Sequence, residues 1–347
     1  MKILSESARK ILNDPARIAV RDEWFRRMRC LVTGEPNAYT EKYAYSLGGV
    51  TPQPQDWKKA YTQPEEWVVE CLELLAQIPE CTANRFSPDC MEFGLYGVHF
   101  IDKIFGADVF FKDDQWNARY LTTPIGQLQM PDLDKDETWS LARRAAQAFL
   151  DADVKLPLFG LPTLSSALNI FINLYGQEGL IAMMEDEDAA AHDLQVINDL
   201  IRTLHKWYRD HIPMQQLQPV CSSGRTQPPG SGQLCGCTTQ LLSGSLYRDM
   251  IAPLDDALLG DYPLGGMIHL CGAHAQHIET FRNMPHLQAI QVNDRACLDL
   301  EAYLAGMRKD QIIYVCPFEG MPEDKIMSIS GGDRVVLVNW REAIQKY

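Results

Sequence analysis

The residues best suited to chemistry gather in the last third of the chain. Met267-Ile268-His269-Leu270-Cys271-Gly272 reads as a strand that ends with a histidine and a cysteine two residues apart. Residues i and i+2 of a strand face the same way, so both side chains can turn onto one ion where the strand ends. Imidazole nitrogen and thiolate sulfur are both zinc ligands, and Gly272 lets the backbone turn sharply. The chain holds 8 His, 10 Cys and 23 Gly in 347 residues. At that composition H-x-C-G is expected only about 0.015 times by chance. A pair is not yet a site, because zinc takes further ligands. Cys316 is the expected third, since it closes the strand Ile312-Ile313-Tyr314-Val315-Cys316 before Pro317. Glu319, in the same loop, would offer an oxygen to the metal or a hydrogen bond to a ligand. Cys235-Gly236-Cys237 is a rival pair, placed in a loop dense in Gly, Pro and Ser from Thr226 to Cys237. His274 and His277 fall on the first turns after Gly272, where they would greet a substrate carboxylate at a helix N-terminus.

These residues need elements to hold them. The first 80 residues or so read as helical, with Ser5 to Leu12, Arg21 to Val32 and a helix opening at Pro64. The last has acids in its first turn and an apolar face through Val68, Leu72 and Leu75, as a helix packed on a core requires. From Thr82 short apolar segments alternate with helical ones. Ala107 to Asp113 and Ala118 to Ile125 read as a hairpin, LPLFGLP and QLQPVCSS as strands, and Asp188 to Tyr208 as a long helix. Then strand and helix alternate: GGMIHLCG, LQAIQVND, DQIIYVCP and DRVVLVNW are continuous apolar runs separated by helices. Continuous runs indicate a parallel sheet covered on both faces. About eight strands fit a (β/α)8 TIM barrel with an N-terminal helical extension, and an open doubly wound sheet also fits. No G-x-G-x-x-G follows an early strand and no P-loop is present, which weighs against the dinucleotide-binding open sheet. We expect residues 1–80 to form a helical layer on a barrel of residues 81–347. In such folds ligands bind at the carboxyl ends of the strands. Phe86, Phe159, Cys221, His269, Asn293 and Cys316 each close an expected strand and should face one cavity. Glu92 and Gln240 follow strand-like segments and should join them.

Composition limits the partners. Lys and Arg number 32 and Asp and Glu 46, a net charge of −14. So acidic a chain lacks the footprint of a nucleic-acid binder and would be repelled by an anionic membrane. No apolar run reaches the ~18 residues needed to span a bilayer, and the first ten residues carry acids and bases where a signal peptide is apolar. The expectation is a soluble, cytoplasmic protein with reduced cysteines.

Around HLCG the sequence resembles the uroporphyrinogen decarboxylase superfamily. Phe86-Ser87-Pro88-Asp89, Phe105 to Phe111 and the TTPI segment are similar to the family's second-strand region. Pro157-Leu158-Phe159-Gly160-Leu161-Pro162 is similar to its F-x-G-P-type turn, and Gly176 with the acid-rich turn Glu185 to Asp188 to the helix beyond. Thr239 to Ser243 and Leu246 to Pro253 resemble a further family helix. The likeness runs in order through residues 82–340 and implies a (β/α)8 barrel.

Within that superfamily the H-x-C resembles the zinc-dependent methyltransferases that work with methylated corrinoid proteins, such as methylcobamide:coenzyme M methyltransferase. The resemblance implies zinc on His269, Cys271 and a distant cysteine, with the corrinoid on a partner protein. Nothing in the chain resembles a cobalamin-binding D-x-H-x-x-G. That branch's third cysteine closes the final strand, where this chain has Val338-Asn339-Trp340, and Cys316 closes the preceding one. The implied reaction is methyl transfer involving a zinc-activated thiol or methyl ether. Asn293 and Glu319 would be catalytic, and Phe86, Glu92, Phe159, Cys221 and Gln240 would bind substrate. The alternative is metal-free decarboxylation of uroporphyrinogen or a related acid. That enzyme uses an Arg-rich N-terminal segment, and Arg21, Arg26, Arg27 and Arg29 here follow a helical pattern expected to be a solvated face. A non-catalytic barrel with redox-active cysteines is the third possibility.

Overall fold

Each apolar run of the last third forms a strand, and the strands pair in parallel. The structure is a computed structural model that describes residues 3–33, 44–47, 54–78, 90–218 and 226–339. Its strands are β1 (Ala44–Leu47), β2 (Cys90–Glu92), β3 (Val109–Lys112), β4 (Gln115–Ala118), β5 (Leu158–Gly160), β6 (Leu217–Gln218), β7 (Gly232–Cys235), β8 (Gly266–Cys271), β9 (Leu287–Asn293), β10 (Ile312–Val315) and β11 (Val335–Asn339). One parallel sheet has the order β1-β11-β10-β9-β8-β7 and a second has β2-β5-β6. β3 and β4 form an antiparallel hairpin; β3 lies in the expected first strand, whereas β4 precedes the expected second strand and shares only Ala118 with it. Helices alternate with the parallel strands, so the architecture is α/β.

The large sheet is covered on both faces, which is why its strands read as unbroken apolar runs. Ile268, Leu270, Ile290, Val292, Ile313, Val315, Val335 and Leu337 face the helices. On the opposite, inner face Met267, Ala289, Ile312, Tyr314, Val336 and Val338 pack with Trp24, Phe25 and Met28 of the helix Pro15–Thr33. That helix is tied to the amino end of β5, where Arg21 Nη1 donates to the carbonyls of Lys155 and Leu156, the latter at 2.9 Å. Arg21 is only 4% exposed, so it is not part of the solvated face expected of the N-terminal arginines. Arg26 and Arg27 do lie toward solvent and pair with Glu23. The helix Pro64–Leu75 buries Val68, Leu72 and Leu75 completely, as its periodicity requires. It is bridged to the helix Glu137–Asp151 by Glu65 and Arg144, at 2.6 and 2.8 Å.

Two strands lie where the sequence reads otherwise. β1 falls in the stretch expected to be helical, and pairs with β11 from Ala44↔Val336 to Leu47↔Asn339. β7 falls inside the Gly/Pro/Ser segment expected to be a loop. Its glycines are there for close approach: a β-carbon on Gly232 would lie 2.5 Å from the Tyr262 ring, and one on Gly236, just past the strand, 2.7 Å from Ile268. Small residues that read as loop punctuation are the ones that let this strand lie against β8.

Candidate metal centre

β7 and β8 pair with Cys235 opposite His269. Directly opposed residues on neighbouring strands face the same side, so the thiol and the imidazole meet there. Past β7 the chain turns through Cys237–Leu241, and the turn folds Cys237 back until its Sγ is 3.4 Å from that of Cys235. The Thr239 hydroxyl donates to Gly236 O at 2.8 Å, and Asn169 Oδ1 accepts from Thr238 N at 3.2 Å, which fixes the turn. The ligand atoms of Cys235, Cys237 and His269 all lie within 4.8 Å of one another, a geometry able to hold a metal ion. Cys271 Sγ is 3.0 Å from His269 Nε2. The rival Cys-Gly-Cys pair and the His-Leu-Cys pair therefore meet at one place.

The donors suit zinc or another thiophilic dication: sulfur and imidazole nitrogen on a half-buried edge. Cys235 and Cys271 beside Cys237, aided by burial, hold its thiol far above the ordinary cysteine range. A bound cation reverses that logic by favouring thiolate.

His269 is held from behind by Gln291, its register partner on β9. Gln291 is fully buried, and its Oε1 accepts from His269 Nδ1. That bond places the ring proton on Nδ1 and leaves the Nε2 lone pair toward the sulfurs. Gln291 Nε2 donates to Asn293 Oδ1 at 2.5 Å and to Cys316 Sγ at 2.8 Å. Cys316 thus reaches the centre through Gln291, and it is not in the group of converging ligand atoms among the described residues. No sequence pattern singles out Gln291, because a lone glutamine in an apolar strand carries no motif.

The other expected site residues distribute as follows. Asn293 ends β9 opposite Cys271. Gln240, in the turn after Cys237, lies over Gly272: a β-carbon there would sit 2.1 Å from Gln240 Oε1, and φ at Gly272 is +90°. The positive φ favours glycine there. Glu92 ends β2 half-buried, and Glu319 is exposed in the loop after β10. Phe159 is not brought to this cluster. It packs into the helix layer, 5.2 Å from Phe149 and 5.8 Å from Tyr208, while its neighbour Leu158 joins the inner-face core. Alternation along β5 sends adjacent residues to opposite faces. Phe86 and Cys221 lie outside the described residues. His274 and His277 are fully buried and brace the loop instead of greeting a substrate. His274 Nε2 donates to Cys271 O at 2.7 Å and His277 Nε2 to Thr239 O at 2.8 Å. Burial lowers the pKa of both. No disulfide is formed among the eight described cysteines.

Fold and site together define an α/β protein with a Cys/His cluster able to take a metal at the carboxyl edge of its large parallel sheet. No protein-family model matches the sequence, and no curated protein matches it. Solved structures do match. One is a methyltransferase from Methanosarcina mazei, with a TM-score of 0.58 at 10% identity over 91% of this chain and 92% of that one. The likeness is one of fold. Among the described residues, no helix is long and apolar enough to cross a membrane.

Proposed function

We propose that the chain is a zinc-dependent methyltransferase of the cytoplasm, acting with a corrinoid carried by a partner protein. In this reading the two parallel sheets close into a (β/α)8 barrel whose mouth is the edge bearing the cysteines. The observation that carries the reading is the convergence of Cys235, Cys237 and His269 within 4.8 Å, with Cys271 3.0 Å from the imidazole. The fold of a methyltransferase over nine-tenths of both chains supports it.

Cys235, Cys237 and His269 would hold the ion, and Cys271 would complete the set or yield its place to substrate. Bound there, zinc supplies charge that keeps a thiol as thiolate near neutral pH or polarises a methyl ether oxygen. The protein's own work is positional. Gln291 orients His269, and Asn293 and Gln240 stand at the rim, where they can hydrogen-bond a small acceptor or donor. Glu319, exposed in the loop after β10, would meet substrate or partner.

The test is metal content and methyl transfer together. Protein purified without chelator should carry about one zinc per chain. His269→Ala and the double change Cys235→Ser with Cys237→Ser should each remove it. The zinc-loaded protein should demethylate methylcobalamin in the presence of 2-mercaptoethanol, followed by cobalamin absorbance. A wild-type protein that takes up no zinc and transfers no methyl group overturns the reading.

A further inference from the structure

A second titratable cluster follows the carboxyl end of β2, in the smaller parallel sheet and outside the metal centre. β2 ends at Glu92, and the chain then turns through Gly97–His99 into the short helix Phe100–Ile104. His99 Nδ1 lies 2.6 Å from Asp102 Oδ2, and Asn173 Nδ2 donates to the same oxygen at 3.0 Å. Asp102 is wholly buried, and its Oδ1 has no hydrogen-bond partner. The His99 side chain keeps 17% of its surface in solvent. An imidazole whose Nδ1–H is held by a buried carboxylate presents the Nε2 lone pair outward, the arrangement of an oriented general base.

Its position relates it to the metal centre. Asn173 lies on the helix Ala167–Tyr175, and so does Asn169, which accepts from Thr238 N in the Cys-Gly-Cys turn. The two asparagines are one helical turn apart on one face, a rise of about 6 Å. One helix therefore braces both places, the dyad through Asn173 and the cysteine turn through Asn169. Two other His–Asp pairs are built differently. Asp193, beside His192, also accepts from Gly126 N, Leu128 N and Tyr175 Oη. His286 pairs with Asp256 with half of its side chain exposed.

We propose that His99, held by Asp102 and Asn173, is the general base that takes the proton of the acceptor thiol. The proposal rests on the methyl-transfer reading above. In the step, the acceptor's S–H bond breaks with its electron pair staying on sulfur. The proton forms a new N–H bond at His99 Nε2, and the Asp102 carboxylate balances the imidazolium charge. Run backwards, the same group returns a proton to a leaving oxygen or sulfur. Burial raises the pKa of Asp102 while His99 draws it back. Charged groups around the turn include Lys103, 6.0 Å from the Tyr96 ring, and the helix-start acids Asp136 and Glu137, whose charges both act on Tyr96.

The test uses zinc-loaded full-length protein with methylcobalamin and 2-mercaptoethanol. His99→Gln should lower kcat on the order of 100-fold, leave zinc content and the KM for thiol unchanged, and remove the acidic limb of the kcat–pH profile. Asn173→Leu should shift that limb with a smaller loss, and it avoids stripping the buried carboxylate. Wild-type kcat and pH profile in His99→Gln overturn the proposal. Diethyl pyrocarbonate gives a readout independent of methyl transfer: His99 should be modified faster than His192 and His286, and Asn173→Leu should slow it. A wild-type protein with no methyl transfer but this reactivity loses the methyltransferase reading and keeps the dyad. His99 modified no faster than the two control histidines overturns the dyad itself.

Discussion

Gln291 decides which nitrogen of His269 is available, and it does so from a position with no side-chain exposure. Its amide has two ends, and each is used: Oε1 on His269, Nε2 on Cys316 and Asn293. Gln291→Leu keeps the volume and removes both ends. We expect it to weaken zinc binding about 10–100-fold, the usual cost of losing a group that orients a ligand. Competition with a chromophoric chelator measures this, and an unchanged affinity would show that the ring needs no brace. The H-x-C-G was legible because strand alternation and a turn glycine are local features. Gln291 was not, because its role exists only once strand register sets it opposite His269. The link from Cys316 to the centre is likewise indirect, through Gln291. Nearness of strand ends is not contact, and here one side chain stands between.

The helix after β7 carries the clearest pH dependence. Pro253 removes a backbone donor near the start of Ala252–Gly260, and the preceding turn, Tyr247–Ile251, is a π-helix, a form such interruptions favour. That turn brings Tyr247 over Asp255, and its hydroxyl donates to Asp255 Oδ2 at 3.0 Å. Burial pushes Asp255 up to about 7 from 3.8, with the Tyr247 bond opposing it. An acid whose folded pKa is raised keeps its proton longer in the folded chain than in the unfolded one. The stability this contributes is complete below about pH 4, declines as pH rises to about 7, and is level above. Within that window the slope is about 1.4 kcal/mol per pH unit at most. Asp255→Asn leaves Tyr247 an acceptor and should flatten this part of the curve. Urea unfolding between pH 5 and 8 checks it, and parallel curves for the two proteins would refute it. At this scale the last four strands were plain in the sequence, being long and continuously apolar. β2 has only three residues, too few to show a period, β6 lies at the start of the expected strand QLQPVCSS, and β7 was hidden by the glycines that let it pack.

Across the whole molecule, the inner face of the large sheet changes character along its length. Toward the amino ends it is an apolar floor of Met267, Ala289 and Ile312 closed by Trp24, Phe25 and Met28. Toward the carboxyl ends it carries Cys235, His269, Gln291 and Cys316. Trp24 is 2% exposed, so Trp24→Ala should cost about 3–5 kcal/mol. It should also raise the susceptibility of the N-terminal helix to proteolysis, read by limited digestion and thermal unfolding. A small effect would mean that this helix is dispensable to the sheet. The alternation of strand and helix made the layered α/β plan legible from sequence. The helix Pro15–Thr33 gave no hint that it fills a sheet face, because its packing partners are strands far along the chain.

Under the proposed function that floor would have a kinetic consequence. With the amino end filled by aromatic side chains, reactants approach the cysteines from the carboxyl end. A corrinoid domain seated there would cover whatever small molecule lies beneath it. In the proposed reading the small reactant would then have to arrive before the protein donor, and its methylated product would depart only after the donor had left. Turnover would follow a compulsory order, with the large partner bound last and released first.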